Sequence, residues 1–315
     1  MLKLTKDQLK TIQMQMYNKA RDIDVALFNV LIDDKFPKSF LSTALSGFQN
    51  KDGGFAHALE VDNYNKDSSL VECQEALRIA SMVFDTIEDD TILNDSFKKL
   101  FNYIYNRLDK WEALIPSNNY AICASWYKYN DVNLKRFGDA PTPAIIGYTL
   151  LLLNDKSAYF KKAVQKANNV ISLFLSKDTF TIEEIKSYKI LFDGMKKRNL
   201  FQDKIAEYKE KLYSVAYEMV EKDSNNFSKV VLLPLEIFDE YTGDKKIDDL
   251  IDLNLDYLIK SIKPHGLWEA PFDWSNEIAE GATAQIKWIG VISCINVNYL
   301  MRFNRIEEWL WKELL

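Results

Sequence analysis

Apolar residues recur along this chain at spacings of three and four, the period that lays them on one face of an α-helix. Phe97, Leu100, Phe101, Ile104 and Leu108 form one such stripe; Ile205, Tyr208, Leu212, Val215 and Met219 form another. Helix starts are equally legible. Leu4-Thr5-Lys6-Asp7-Gln8-Leu9 has the form of a capping box with a hydrophobic staple: Thr5 at the N-cap, Gln8 three residues on, and Leu4 against Leu9. The helix it opens is predicted to continue to Leu31. Ser69 to Glu72 and Thr181 to Glu184 repeat the S/T-x-x-E start, and Thr142-Pro143 puts proline in a first helical turn. Roughly twelve helices with short polar loops are expected, with no β-hairpin signal. No Pro/Gly/Ser-rich linker divides the chain, so the expectation is one all-α domain over residues 1–315.

An internal echo sharpens the architecture. At an offset of 213, Ala44-Leu45 meets Tyr257-Leu258, Gly53 meets Gly266, Phe55 meets Trp268, Leu59 meets Phe272, Glu60 meets Asp273, and Asn63 meets Asn276. In both places a helix runs into a glycine loop with an aromatic two residues later and an acid five beyond that. The offset is about four units of about 53 residues, and the whole chain is about six, the number of helical hairpins that closes an (α/α)6 toroid or barrel. An open helical solenoid is the alternative.

Composition narrows the functions. Ten Gly and seven Pro in 315 residues are too few for the turns of an all-β protein. A net charge of −6 argues against a nucleic-acid partner, because phosphate binding calls for a basic surface. Cys73, Cys123 and Cys294 are sparse and far apart, as free thiols in a reducing compartment are. The first ten residues have no apolar run of the secretory kind. The longest apolar stretch, Ala144 to Leu153, falls short of the about 20 residues that span a bilayer. A soluble cytoplasmic protein with no integral membrane segment is expected. Its 16 Tyr, 18 Phe and 7 Trp serve either a bulky core or an aromatic-lined cavity.

The stretch from Leu45 through Gln49, Gly53 and Phe55 resembles the QW-type repeat of squalene-hopene cyclases, with Ala44 in place of the leading aromatic and Phe55 in place of Trp. Tyr257-Leu258 through Gly266-Leu267-Trp268 is similar, with Ile262 where Gln belongs. Gln49 to Asp62 also resembles the Gln-Asn-x-Asp-Gly-Gly-Phe-x-His-x-Leu-Glu-x-Asp run of bacterial proteins with the prenyltransferase/squalene-oxidase repeat. Gly266-Leu267-Trp268 with Trp274, and Trp288 with Gly290, resemble their later elements. The resemblance implies the α/α-toroid of the terpenoid cyclase/protein prenyltransferase superfamily, in which such repeats tie neighbouring helices together. It implies fold rather than activity. The Asp-x-Asp-Asp acid of squalene-type cyclases is absent from this sequence. With His57 and His265 as the two histidines and no Cys-x-x-Cys, the zinc site of protein prenyltransferases has no support.

The densest acid/base candidates are His57, Glu60 and Asp62, in a loop ahead of the Ser69 cap, where a carboxylate can orient an imidazole or act as general acid or base. Asp273 joins them as a catalytic candidate from the second loop. Phe55, Trp268, Glu269 and Trp274 are candidates for substrate binding, with His265 beside them. A structural role for each stands alongside: Glu60 and Asp62 capping the next helix, His57 packed on an aromatic, and Trp268 and Trp274 as packing anchors. Asp248-Asp249-Leu250-Ile251-Asp252 matches a diphosphate-binding pattern. However, Asp249, Asp252 and Asp256 fall roughly 120° to 180° from the buried stripe of Ile247, Leu250, Ile251, Leu258 and Ile262 and read as a solvated face. Neither a metal nor a nucleotide cofactor is expected, since Walker and Gly-x-Gly-x-x-Gly loops are missing, as is a Gly-x-Ser-x-Gly elbow. Three functions remain. One is the binding or conversion of a hydrophobic, isoprenoid-type molecule. Another is a carbohydrate-active barrel, whose paired carboxylates would stand about 5.5 Å apart for retention or about 6.5–9.5 Å for inversion. The third is a non-catalytic helical module for a protein partner.

Overall fold

Helix signals in the sequence become helices in the computed structural model, which describes residues 1–108, 124–125, 131–273 and 281–307. In chain order they are α1 Lys6–Lys19, α2 Asp22–Ile32, α3 Ser39–Ser46, α4 Leu70–Ser81, α5 Thr91–Tyr105 and α6 Asp131–Phe137. There follow α7 Thr142–Leu152, α8 Ala158–Ser176, α9 Ile182–Lys197, α10 Ile205–Met219, α11 Lys245–Lys260 and α12 Gly281–Arg302. Among the described residues, strand-like pairing is confined to three isolated bridges, so the protein is all-α. No described helix is long and apolar enough to cross a membrane.

Local rules account for the boundaries. Thr5 and Thr181 each close a full capping box, with Gln8 and Glu184 respectively, and Ser69 accepts from the Glu72 amide. The expected helix from Lys6 to Leu31 is instead two. Ala20 and Arg21 are extended, and the chain reverses there. The reason is a change in what must be buried. α1 is amphipathic, burying Leu9, Ile12 and Met16, whereas α2 buries Ile23, Ala26, Leu27, Phe28, Val30 and Ile32 on nearly every side. One straight helix cannot serve both demands. Asn29 on α2 then binds Gln13 and Tyr17 of α1, holding the two antiparallel.

The described residues divide into two compact units. One holds residues 1–41, 219–273 and 281–307; the other holds 42–108, 124–125 and 131–218. In the second, α7 and α9 cross almost backbone to backbone. A Cβ on Gly147 would lie 2.3 Å from the Ile190 carbonyl oxygen, and one on Gly194 would lie 2.7 Å from the Gly147 oxygen. Arg198, just past α9, donates to the carbonyls of Leu150, Leu151 and Leu153 and so closes the open end of α7. Phe174, Tyr188 and Tyr208 form an aromatic cluster with centroids 4.3–4.6 Å from Phe174. At its edge the buried Glu184 accepts from the amides of Asp139 and Thr181 and from Lys177. Lys177 also binds Asp139, which takes the Tyr188 hydroxyl. Burial works against the Lys177 charge, but these carboxylates prevail and hold its pKa above the usual lysine value.

In the first unit, α12 lies close on α2: a Cβ on Gly290 would meet Asp24 Oδ2 at 2.7 Å and Ala20 Cβ at 2.9 Å. Arg305, 2% exposed, binds the Leu2 carbonyl at 2.6 Å, Asp252 at 2.9 Å, and Asp256. Asp256 also accepts from the Leu2 amide, so one guanidinium ties residues near both ends of the chain to α11. Cys73 and Cys294 are buried free thiols; Cys123 lies outside the described residues.

Candidate functional site

The loop between α3 and α4 is built on a glycine turn. Asn50 N–H donates to the Gly54 carbonyl at 2.8 Å, and Gly53 N–H donates to the Asn50 carbonyl at 3.0 Å. Gly53 sits at φ +92, where a side chain is disfavoured, and its Cβ would be 2.5 Å from the Lys99 carbonyl oxygen on α5. The Gln49 amide clasps the same helix: Nε2 donates to the carbonyls of Gly53 (2.9 Å) and Ser96 (2.8 Å), while Oε1 accepts from Ser96 Oγ at 2.8 Å. Phe55 is fully buried, edge-on to Phe97 at 6.3 Å. A second tier closes the turn. Asp52 Oδ1 accepts from Gly54 N–H and Ser68 Oγ, and Asn50 Nδ2 donates to Ser68 Oγ and to the Lys66 carbonyl.

On this platform stands His57, an exposed residue whose Nε2 is 2.9 Å from Asn50 Oδ1. His57 and Ala58 both adopt positive φ, +67 and +61, a left-handed pair that costs non-glycine residues about 1–2 kcal/mol each. Glu60 is half-buried, and its amide donates to Glu72 Oε2 at 2.9 Å. Asp62 is 2% exposed, and its carbonyl accepts from the Ala124 amide. The first turns of α4 bring more acid to the same place. Glu72 is wholly buried and Glu75 is 7% exposed, bound by the Arg78 guanidinium at 2.7 and 2.5 Å. Burial opposes the Arg78 charge, but Glu75 above all, with Tyr148 and Glu60, keeps its pKa above the ordinary arginine value.

Sequence reasoning missed Glu72, Glu75 and Arg78, as well as Asn50, Asp52 and Ser68. The signal for the first set was that α4 is apolar over so much of its circumference, with Leu70, Val71, Cys73, Ala76, Leu77, Ile79 and Ala80 buried, that Glu72 and Glu75 had no solvent face to occupy. For the second set it was the Asn-x-Asp-Gly-Gly turn chemistry.

The second loop, in the other unit, reproduces the turn. Lys263 N–H donates to the Leu267 carbonyl at 3.0 Å and Gly266 N–H to the Lys263 carbonyl at 2.8 Å, the same two bonds at the 213-residue offset. Gly266 has φ +88, and its Cβ would meet Thr11 Cγ2 at 2.6 Å. Trp268 is 3% exposed, with Nε1 donating to the Leu258 carbonyl at 2.8 Å. Glu269 is exposed and pairs with Lys263 at 3.3 Å and His265 at 3.4 Å. Lys263 first, then His265, holds its carboxyl below the usual range. Asp273 is exposed. Trp274 lies outside the described residues. The structure therefore brings Phe55, His57, Glu60 and Asp62 together in one unit, and Trp268, Glu269 and Asp273 in the other.

The acidic run on α11 has structural partners. Asp248 accepts from Thr242 and from the Gly243 amide, and Asp249 is exposed. Asp252 binds Arg305 and the Tyr241 hydroxyl, and Asp256 binds Arg305. The face expected to be merely solvated is thus a clamp around a buried cation. Among the described residues no group of three or more His, Cys, Asp or Glu could hold a metal ion. No protein-family pattern, curated protein or solved structure matches the chain.

Proposed function

We propose that residues 57–75 are the working site of a cytoplasmic small-molecule-binding protein or acid–base enzyme, built on the α/α-toroid scaffold that the sequence resemblance implies. The ligand we assign is polar, hydroxylated like a saccharide or cationic like an amine. The observation that carries this reading is the concentration of buried carboxylates. Asp62, Glu72 and Glu75 are at most 7% exposed and lie within one loop and the first turns of one helix. Taking a carboxylate out of water costs several kcal/mol, and such a concentration is characteristic of sites that meet a positive charge or a hydroxyl. Carboxylates in such a setting supply a general acid or base, or stabilise an oxocarbenium-like centre. An isoprenoid ligand draws support from the resemblance and from the aromatic content. Against it, the Phe55 ring and the Trp268 indole are occupied in packing and in a carbonyl hydrogen bond.

The test is a thermal-shift screen of the full chain against neutral oligosaccharides, polyamines, isoprenyl diphosphates and triterpenes, repeated on Asp62→Asn. A polar ligand at about 100 times its Kd stabilises by about 2.7 kcal/mol, a shift of several degrees. We expect that shift from a saccharide or amine and its loss in Asp62→Asn. Stabilisation confined to the isoprenoid arms, and unchanged in Asp62→Asn, would sink the reading.

A further inference from the structure

The hydrogen-bond directions beneath His57 are fixed by a single carboxylate. Ionised Asp52 can only accept, so Ser68 Oγ, 2.8 Å away, donates its hydrogen to it. The Ser68 oxygen then receives from Asn50 Nδ2 at 2.9 Å, and the other hydrogen of that NH2 goes to the Lys66 carbonyl at 2.9 Å. Both amide hydrogens are committed, which sets the side chain's orientation without ambiguity of O against N. The atom facing His57 Nε2 at 2.9 Å is therefore Asn50 Oδ1, which has no hydrogen to give. Nε2 must carry the proton, and the lone pair of the neutral ring lies on Nδ1.

We infer that His57 is the proton acceptor of this loop, acting through Nδ1, with Asn50, Ser68 and Asp52 as its positioning residues; the inference rests on residues 57–75 being the working site. The strained pair at His57 and Ala58 fits this assignment. The left-handed backbone is held by the His57 N–H bond to the Asn65 carbonyl at 3.1 Å, and it lifts the ring onto the Asn50 amide, with the imidazole exposed. In the proton transfer, a ligand hydroxyl or ammonium meets Nδ1. The N–H bond forms there as the ligand's O–H or N–H bond breaks, and the electron pair stays on the ligand heteroatom. The positive charge left on the ring strengthens the Nε2–H bond to Asn50 and is balanced, through Ser68, by Asp52. Unlike an Asp–His pair, this relay places two neutral groups between carboxylate and imidazole. It orients the ring without forming an ion pair with it.

The orientation can be read without a ligand. Bromoacetamide, a neutral alkylating probe, is applied to the folded full-length chain, and the modified nitrogen of His57 is identified in the isolated peptide. Nδ1 is expected to exceed Nε2 by about tenfold, the ratio set by one hydrogen bond of ordinary strength, and the urea-denatured chain is expected to lose this preference. Asn50→Leu, checked for native circular dichroism, should lose it too, whereas Asn50→Asp, which keeps an acceptor oxygen, should retain it. Predominant Nε2 alkylation of the folded wild type overturns the proposal, whatever the variants do. A preference for Nδ1 that survives in folded Asn50→Leu overturns the role of Asn50. If the regiochemistry is as expected and the ligand screen is silent, it is the 57–75 reading that fails, so the two ideas fail separately.

Discussion

Gln49 offers a direct measure of how the first glycine loop is held to α5. Its amide makes three hydrogen bonds, two with Ser96 and one with the Gly53 carbonyl. Each is worth about 1 kcal/mol net, and the half-buried position lets water recover part of the loss, so Gln49→Ala should cost about 2–3 kcal/mol. Ser96→Ala removes only the hydroxyl bond, at about 1 kcal/mol. Once Gln49 is gone that hydroxyl has lost its partner, so the second substitution should add almost nothing to the first. The predicted coupling is about 1 kcal/mol. Urea unfolding of the wild type, both single variants and the double variant measures it, provided the slope stays constant and only the midpoint moves. Strict additivity, within about 0.3 kcal/mol, would show that the Ser96 hydroxyl bond contributes nothing and that Gln49 acts only through its bonds to the Gly53 and Ser96 carbonyls.

Two further outcomes follow from the packing. Gly147→Ala gains about 1 kcal/mol of helix propensity, but it drives a Cβ to 2.3 Å from the Ile190 carbonyl and should be net destabilising, because overpacking costs about 1–3 kcal/mol or more against backbone. A melting temperature at or above that of the wild type would refute the close crossing. Burial, first of all, raises the pKa of Tyr103, Tyr105, Tyr188 and Tyr208. Their neutral form is therefore favoured by folding. The stability they contribute is intact below the unfolded-state value of about 10 and is withdrawn as pH climbs above it toward the folded-state values. Phenolate absorbance should show these four ionising together with loss of helical circular dichroism; their titration with the fold intact would contradict the packing.

What the sequence showed and what it hid divide along the range of the interactions. Caps at Thr5, Ser69 and Thr181 are local chemistry, and each was legible from three residues. The stripe on α5 was legible too, because period alone defines it. On α10, Ala216 takes a buried place that the stripe gave to Val215, a shift of one residue that periodicity does not resolve. The break at Ala20 escaped because the apolar period runs through it; burial on both sides of α2 decides it. Asp252 and Asp256 looked solvated because their partner, Arg305, lies 53 and 49 residues away. At the candidate site, His57, Glu60 and Asp62 stood out as a cluster in sequence. The acids of α4 did not, since a Glu-x-x-Glu-x-x-Arg spacing is what an exposed helix face also shows.

The repeated glycine turn separates scaffold from cargo. Two loops 213 residues apart share the same pair of main-chain bonds, the same left-handed glycine and a buried aromatic, yet beyond the aromatic one carries a strained histidine and buried acids while the other carries an exposed Glu269. The turn is thus an interchangeable socket: its geometry is indifferent to what is mounted on it. Residues 57–62 transplanted after Trp268 would inherit a platform of the right shape but none of the relay beneath. Lys263 stands where Asn50 does, and a lysine side chain has no oxygen to accept a hydrogen bond from the imidazole N–H.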